Sequence, residues 1–85
     1  MFVEWTETAI EDMAPLDKTT ARRIQRSVER FAATGVGNVK RLQGIDPPEF
    51  RLRVGDWRVR FHLDLEQEQK VIRILRVLHR REAYR

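Results

Sequence analysis

Two groups of residues in this chain carry side chains able to do chemistry on a phosphate ester. The hairpin-like stretch EFRLRVGDWRVRFHLD, Glu49 to Asp64, places Arg51, Arg53, Arg58 and Arg60 at alternating positions. The tail HRREAYR supplies His79, Arg80, Arg81 and Tyr84. Arginine suits phosphate because its planar fork donates bidentately and stays charged. An imidazole and a phenol can exchange protons. Together such groups fit cleavage of a phosphodiester: a base takes the proton of a ribose 2′-hydroxyl, cations neutralise the charge building on phosphoryl oxygens, and an acid protonates the leaving oxygen. Tyr84 could also stack on a base, as aromatics do with single-stranded RNA. Taken singly, His79 reads equally as a strand-end polar residue and Tyr84 as an aromatic plug.

The elements that must position them follow from spacing. Gly55-Asp56 between two alternating runs predicts a two-residue hairpin turn, with glycine first. That turn sets Val54 against Trp57, Leu52 against Val59 and Phe50 against Phe61, one apolar face. The other face pairs Arg53 with Arg58 and Arg51 with Arg60. Like charges directly opposite in an antiparallel pair cost roughly 0.2–1 kcal/mol per rung, so stability does not select this face. Binding of a polyanion does; a merely solvated face is the alternative. If the last strand, Val71 to His79, lies beside the hairpin, the tail comes near the Arg51, Arg53 and Arg58 face. VIRILRVLH is apolar on both faces apart from Arg73 and Arg76, as expected of a central strand.

Upstream, Met1 to Trp5 reads as a short first strand. Thr6 or Thr8 caps a short helix carrying Ala9, Met13 and Leu16 on one face, with Thr8-x-x-Glu11 at capping-box spacing. Pro15 limits that helix. Asp17 caps a longer helix to about Thr34, with Ala21, Ile24, Val28, Phe31 and Ala32 as its apolar stripe and Gly35 as its stop. Arg22, Arg26 and Arg30 line another face, read as solvated in preference to a partner surface. Gly35 to Pro48 reads as a loop in which Lys40 and Arg41 either reach an acidic ligand or are solvated. The order β-α-α-β-β-β predicts an α+β fold, two N-terminal helices packed on a mainly antiparallel four-stranded sheet, as one domain over residues 1–85.

Composition narrows the partners. The formal charge is +4, the Lys+Arg total of 17 divides into 14 Arg and 3 Lys, and cysteine is absent. An Arg-rich basic chain points to an acidic partner through directed contacts. Without cysteine there is neither a disulfide framework nor a thiolate metal site. The N-terminus lacks the basic start and apolar run of a signal peptide, and no segment approaches a membrane span, so a cytoplasmic location is expected.

The runs VKRLQG (Val39 to Gly44), FRLRVGDWRVRF (Phe50 to Phe61) and VLHRREAYR (Val77 to Arg85) resemble the RelE/ParE superfamily of type II toxin–antitoxin toxins. The resemblance spans nearly the whole chain. In the RelE branch it implies a ribosome-dependent mRNA interferase that cuts A-site mRNA by 2′-hydroxyl attack without metal or other cofactor. It implies a cognate antitoxin, here expected to bring an acidic segment with an amphipathic helix, and contact with operator DNA only through the antitoxin complex. Arg58, Arg80 and Tyr84 match the branch's catalytic positions, with His79 as a further proton-transfer candidate. Arg51 and Arg53 stand where some relatives place lysines; Arg60 and Arg81 complete the expected RNA- and phosphate-binding set. Arginine is a poor general acid or base, so proton transfer is expected of Tyr84 or His79. The ParE branch implies the alternative, a non-enzymatic toxin that inhibits DNA gyrase by protein binding.

Overall fold

The computed structural model describes residues 1–66 and 68–83. The chain runs β1 (Phe2–Trp5), α1 (Glu7–Met13), α2 (Lys18–Thr34), β2 (Asn38–Arg41), β3 (Phe50–Val54), β4 (Trp57–Asp64), β5 (Val71–His79) and α3 (Arg80–Ala83). The sheet order is β1-β5-β4-β3-β2, antiparallel throughout except for the β1–β5 pair. The expected α+β sandwich is therefore present, with five strands where four were expected.

The additional strand is β2. Its four residues sit in the glycine- and proline-rich segment read as a loop, and four residues are too few to show a period. Pairing makes them a strand: Val39 lies opposite Leu52 and Lys40 opposite Arg51 on β3. The connection back to β3 is closed by Leu42 N–H donating to the Glu49 carbonyl at 2.9 Å.

Local chemistry accounts for the helices. Thr6, not Thr8, caps α1: its Oγ1 accepts from Ala9 N–H at 3.2 Å and donates to the Ile74 carbonyl at 2.8 Å. Asp17 caps α2 through Thr20 N–H at 3.2 Å, and Gly35 ends it at φ 74°, the left-handed stop for which glycine lacks a steric penalty. The Asp17 carboxyl lies below its ordinary pKa because of the hydrogen bonds from Thr20, side chain first and then backbone.

Ile24, Val28 and Ala32 of α2 and Ala9 of α1 bury against Leu52, Val54, Val59, Phe61, Ile72, Ile74 and Val77, the core face of the sheet. The double apolar character of β5 is resolved by an irregularity. Its register with β4 shifts between Arg60 and Phe61, pairing Arg60 with Arg76 but Phe61 with Ile74, so Leu75 is extra. The bulge lets Ile74 and Val77, three residues apart, share the core face. Among the described residues no helix is long and apolar enough to cross a membrane.

Candidate functional site

Side chains paired directly across an antiparallel ladder share one face, so the register assigns the cations without ambiguity. Phe50 pairs with Phe61, Arg51 with Arg60, Leu52 with Val59, Arg53 with Arg58 and Val54 with Trp57, the register set by the two-residue turn. Gly55 holds φ 59° at that turn, the left-handed conformation that favours glycine, and the mobile end of Arg23 from α2 lies beside it. The neighbouring strands extend the pattern. Lys40, Arg51, Arg60 and Arg76 form one row across β2, β3, β4 and β5, and Asn38, Arg53, Arg58 and Leu78 form the next. These rows lie on the face opposite the one that α2 packs against.

The members of the rows differ in availability. Arg58 is only 6% exposed; its Nη1 donates to the Gly55 carbonyl at 2.8 Å and to the Trp57 carbonyl at 3.0 Å, clamping the turn. Arg60 is ion-paired with Glu49, both half-buried. The Nε atoms of Arg58 and Arg60 are buried with no hydrogen-bond partner among the described residues. Arg76 is drawn toward α1, where hydrogen bonds from its guanidinium to Asp12, and then the charge of Asp12, raise its pKa. Arg53 and Lys40 are exposed on the same face.

The tail turns over this face. Arg80 N–H donates to the Asp56 carbonyl at 2.7 Å, and Arg80 Nη1 lies 3.7 Å from the Asp56 carboxylate, so α3 is tied to the hairpin turn. A cavity of about 240 Å3 results, lined by Leu42, Gln43, Ile45, Arg51, Arg60 and Ala83. Directly after β5 the tail forms the short helix α3. Arg80 and Arg81 are both exposed there.

His79 lies apart from the two cationic rows. It pairs with Trp57, which shares the core-side face, and the two rings meet edge-on with centroids 5.4 Å apart. Its Nδ1 accepts from Arg81 N–H at 3.3 Å, closing the start of α3. The physical reason is the bulge at Leu75: it changes which β5 residues follow Val77 onto the core side. Tyr84, the expected proton-transfer and stacking residue, lies outside the described residues.

Lys40 and Arg76 complete the first row; the sequence leaves Lys40 open between an acidic ligand and solvent and gives Arg76 no role in the site. Lys40 was hidden by the absence of any period around β2. Arg76 carried a signal, as one of two charges in an otherwise apolar strand, but its face depends on the bulge. Among the described residues no cluster of three or more His, Cys, Asp or Glu side chains is arranged to hold a metal ion.

Comparison with known proteins gives a consistent picture. Residues 3–84 match the family described as the ParE toxin of type II toxin–antitoxin systems. No curated protein sequence matches. Among solved structures, the chain is similar to a chain of the archaeal RelE–RelB complex from Pyrococcus horikoshii, with TM-score 0.76, 23% identity, and coverage of 95% of this chain and 96% of that one. It is similar to the YoeB/ParE toxin from Agrobacterium tumefaciens, with TM-score 0.75, 14% identity, and coverage of 93% and 98%. It is also similar to a chain of the RelBE2 toxin–antitoxin complex from Mycobacterium tuberculosis, with TM-score 0.59, 29% identity, and coverage of 92% and 95%.

Proposed function

This chain belongs to the ParE toxin family of type II toxin–antitoxin systems, within the RelE/ParE superfamily, and from that premise we propose that it is an endoribonuclease cutting mRNA on the ribosome. The observation that carries this reading is the shared face of Lys40, Arg51, Arg60 and Arg76 beside the cavity closed by Ala83 of α3. Glu49 and Asp12 offset part of the repulsion along this row, and a ribose-phosphate backbone lying over it would offset more.

In the proposed reaction the 2′-oxygen of a ribose attacks the adjacent phosphorus while its proton passes to a base. The bond from phosphorus to the 5′-oxygen breaks, leaving a 2′,3′-cyclic phosphate, and the departing 5′-oxygen takes up a proton. Arg51 and Arg60 stabilise the charge that accumulates on the phosphoryl oxygens. Arg53, Arg80 and Arg81 hold neighbouring phosphates. Arg58 acts as a positioning residue, fixing the turn from which Asp56 holds Arg80. Tyr84 is assigned proton transfer, because a phenol can exchange a proton and a guanidinium in a protein does not. No metal or other cofactor is assigned to the reaction.

Protein partnership follows the same family logic. The solved relatives from Pyrococcus horikoshii and Mycobacterium tuberculosis are toxin–antitoxin complexes, and we assign this chain a cognate antitoxin whose acidic segment covers the basic face. Operator DNA would be contacted only through that complex.

Mapping mRNA 5′ ends after brief induction tests the assignment, with Tyr84→Ala and Arg53→Gln compared with wild type. Codon-phased cuts that fade in both variants are expected. Intact mRNA accompanied by DNA-damage signalling would instead establish the second reading, gyrase inhibition by protein binding. That reading is favoured by the family description itself and by the displacement of His79 from the cationic face.

A further inference from the structure

The exposed face of α2 carries Arg22, Arg26 and Arg30 at i, i+4 and i+8, with Arg23 beside them. Together with Thr19 and Ser27 these arginines line a surface groove of about 430 Å3. None of the four forms an ion pair among the described residues. Like charges at i, i+4 destabilise a helix, so the row is not explained by stability.

The groove is connected to the cationic sheet face at two points. The guanidinium of Arg23 lies beside Gly55 of the β3–β4 turn, within van der Waals reach of where a side chain at position 55 would begin. Further along α2, Ser27 and Arg30 share a cavity of about 100 Å3 with Val36, Gly37, Asn38, Leu52 and Arg53. Asn38 and Arg53 are themselves a cross-strand pair on the sheet face. This cavity joins Arg53 of the sheet face to Arg30 of the α2 row, with Val36, Gly37 and Leu52 as the apolar part of its lining.

We propose that this groove is a second nucleic-acid site, in which the RNA strand that occupies the sheet face continues around the β3 end and lays successive phosphates against Arg30, Arg26 and Arg22. The inference rests on the ribonuclease reading and extends it from one cleaved nucleotide to a longer footprint. From Arg22 to Arg30 is about 12 Å along the helix axis at 1.5 Å per residue, room for a short run of phosphates. The lining decides between RNA and an acidic protein segment. An amphipathic partner helix anchors through apolar side chains, and the groove is lined by arginines and hydroxyls with no apolar side chain among them. Phosphate contacts of this kind position a strand without reading its sequence.

The test is equilibrium binding of the intact chain to labelled single-stranded RNAs of about 5 and about 15 nucleotides, lengths that bracket one small site. The variant is R22Q/R26Q/R30Q, which keeps good helix formers on a solvent-facing surface. Wild type is expected to bind the longer RNA more tightly and with a steeper salt dependence. In the triple variant the longer RNA should weaken about ten-fold or more, with the log–log salt slope falling by about 2, at about 0.7 for each single-strand phosphate that is no longer neutralised. The short RNA should bind within about two-fold of wild type on the same scale.

Equal weakening of both RNAs, or an unchanged slope, overturns the proposal. So does a poly-glutamate peptide that binds wild type and not the variant while long-RNA binding is unaffected, because that identifies a protein-docking face. Arg53→Gln, measured in parallel on the short RNA, reports on the sheet face alone. If short-RNA affinity ignores Arg53→Gln while the triple variant still loses the long RNA, the cleavage-face reading fails and the α2 groove stands as an independent site.

Discussion

Asp12 of α1 holds Arg76 of β5 and, with the same carboxylate, the backbone next to it. Its Oδ2 accepts from Arg76 Nε and from Val77 N–H, each at 2.9 Å, and Oδ1 accepts from Arg76 Nη2 at 3.3 Å. The β1–β5 ladder pairs Trp5 with Ile74 at its upper end, so the outer edge of β5 beyond that point lacks a strand partner. Thr6 and Asp12 substitute for it, Thr6 Oγ1 donating to the Ile74 carbonyl at 2.8 Å. The carboxylate thus finishes the sheet edge and at the same time holds the last member of the cationic row.

Removing that carboxylate should destabilise the fold more than removing the guanidinium it binds. Asp12 is mostly buried, whereas the Arg76 side chain is 44% exposed. Asp12→Ala is expected to cost about 2 kcal/mol, the range for hydrogen bonds to a charged group. Arg76→Ala should cost clearly less, since Asp12 keeps its bond from Val77. Urea denaturation of both variants checks the order; equal losses would mean that the ion pair, not the edge bond, dominates.

Arg53 is expected to trade stability against binding. It stands directly opposite Arg58, and Arg53→Thr replaces a like-charge rung with a strand-forming residue. A gain of about 0.2–1 kcal/mol is predicted, together with weaker RNA binding and reduced toxicity. Thermal melts and growth assays on the same variant decide it: a destabilised variant with full toxicity would remove Arg53 from the site.

Arg58 should behave as part of the hairpin. Arg58→Ala deletes two donors to turn carbonyls from a side chain only 6% exposed, and a loss of about 2–4 kcal/mol is expected for truncating a buried, hydrogen-bonded side chain. Its loss of toxicity should track its loss of fold. An Arg58→Ala protein that melts like wild type yet is inactive would instead make Arg58 a direct contact to substrate.

His79→Asn should leave toxicity and its pH profile intact. Asparagine can accept from Arg81 N–H as His79 Nδ1 does, and the imidazole lies on the Trp57 side of the sheet, opposite the cationic rows. If a limb of the pH–activity curve between pH ~6 and ~7, where histidine side chains in water titrate, disappears in this variant, His79 takes part in proton transfer after all.

Acid sensitivity has a local contributor. The Asp17 carboxyl titrates below its ordinary value of 3.8 in the folded chain because Thr20 donates to it. A depressed folded pKa gives stability that is present above the unfolded pKa and lost as pH falls through the folded one. Asp17→Asn keeps a capping acceptor without a proton to gain. Its acid unfolding limb should be shallower than that of wild type below about pH 4, the carboxylate range, with unchanged stability near neutrality. Coincident acid limbs would exclude Asp17 from the transition.

Local sequence settled the parts of this protein that depend on near neighbours. A two-residue turn leaves the hairpin one register, so Phe50 against Phe61 and Arg53 against Arg58 could be written before any coordinates. The 17 residues of α2 show their cap, apolar stripe and glycine stop directly, because each signal lies within a helical turn or two. Tertiary structure decided what depends on chain far away. Asn38–Arg41 is a strand only because β3 offers it an edge, and that pairing brings Lys40 into line with Arg51. The bulge at Leu75, where Asp12 and Thr6 hold the β5 edge, determines that Arg76 joins the cationic row while His79 leaves it. With a side-chain period of 2, one extra residue moves everything after it to the opposite face. A composition or a spacing cannot register that shift, and it sets which groups can meet one phosphate.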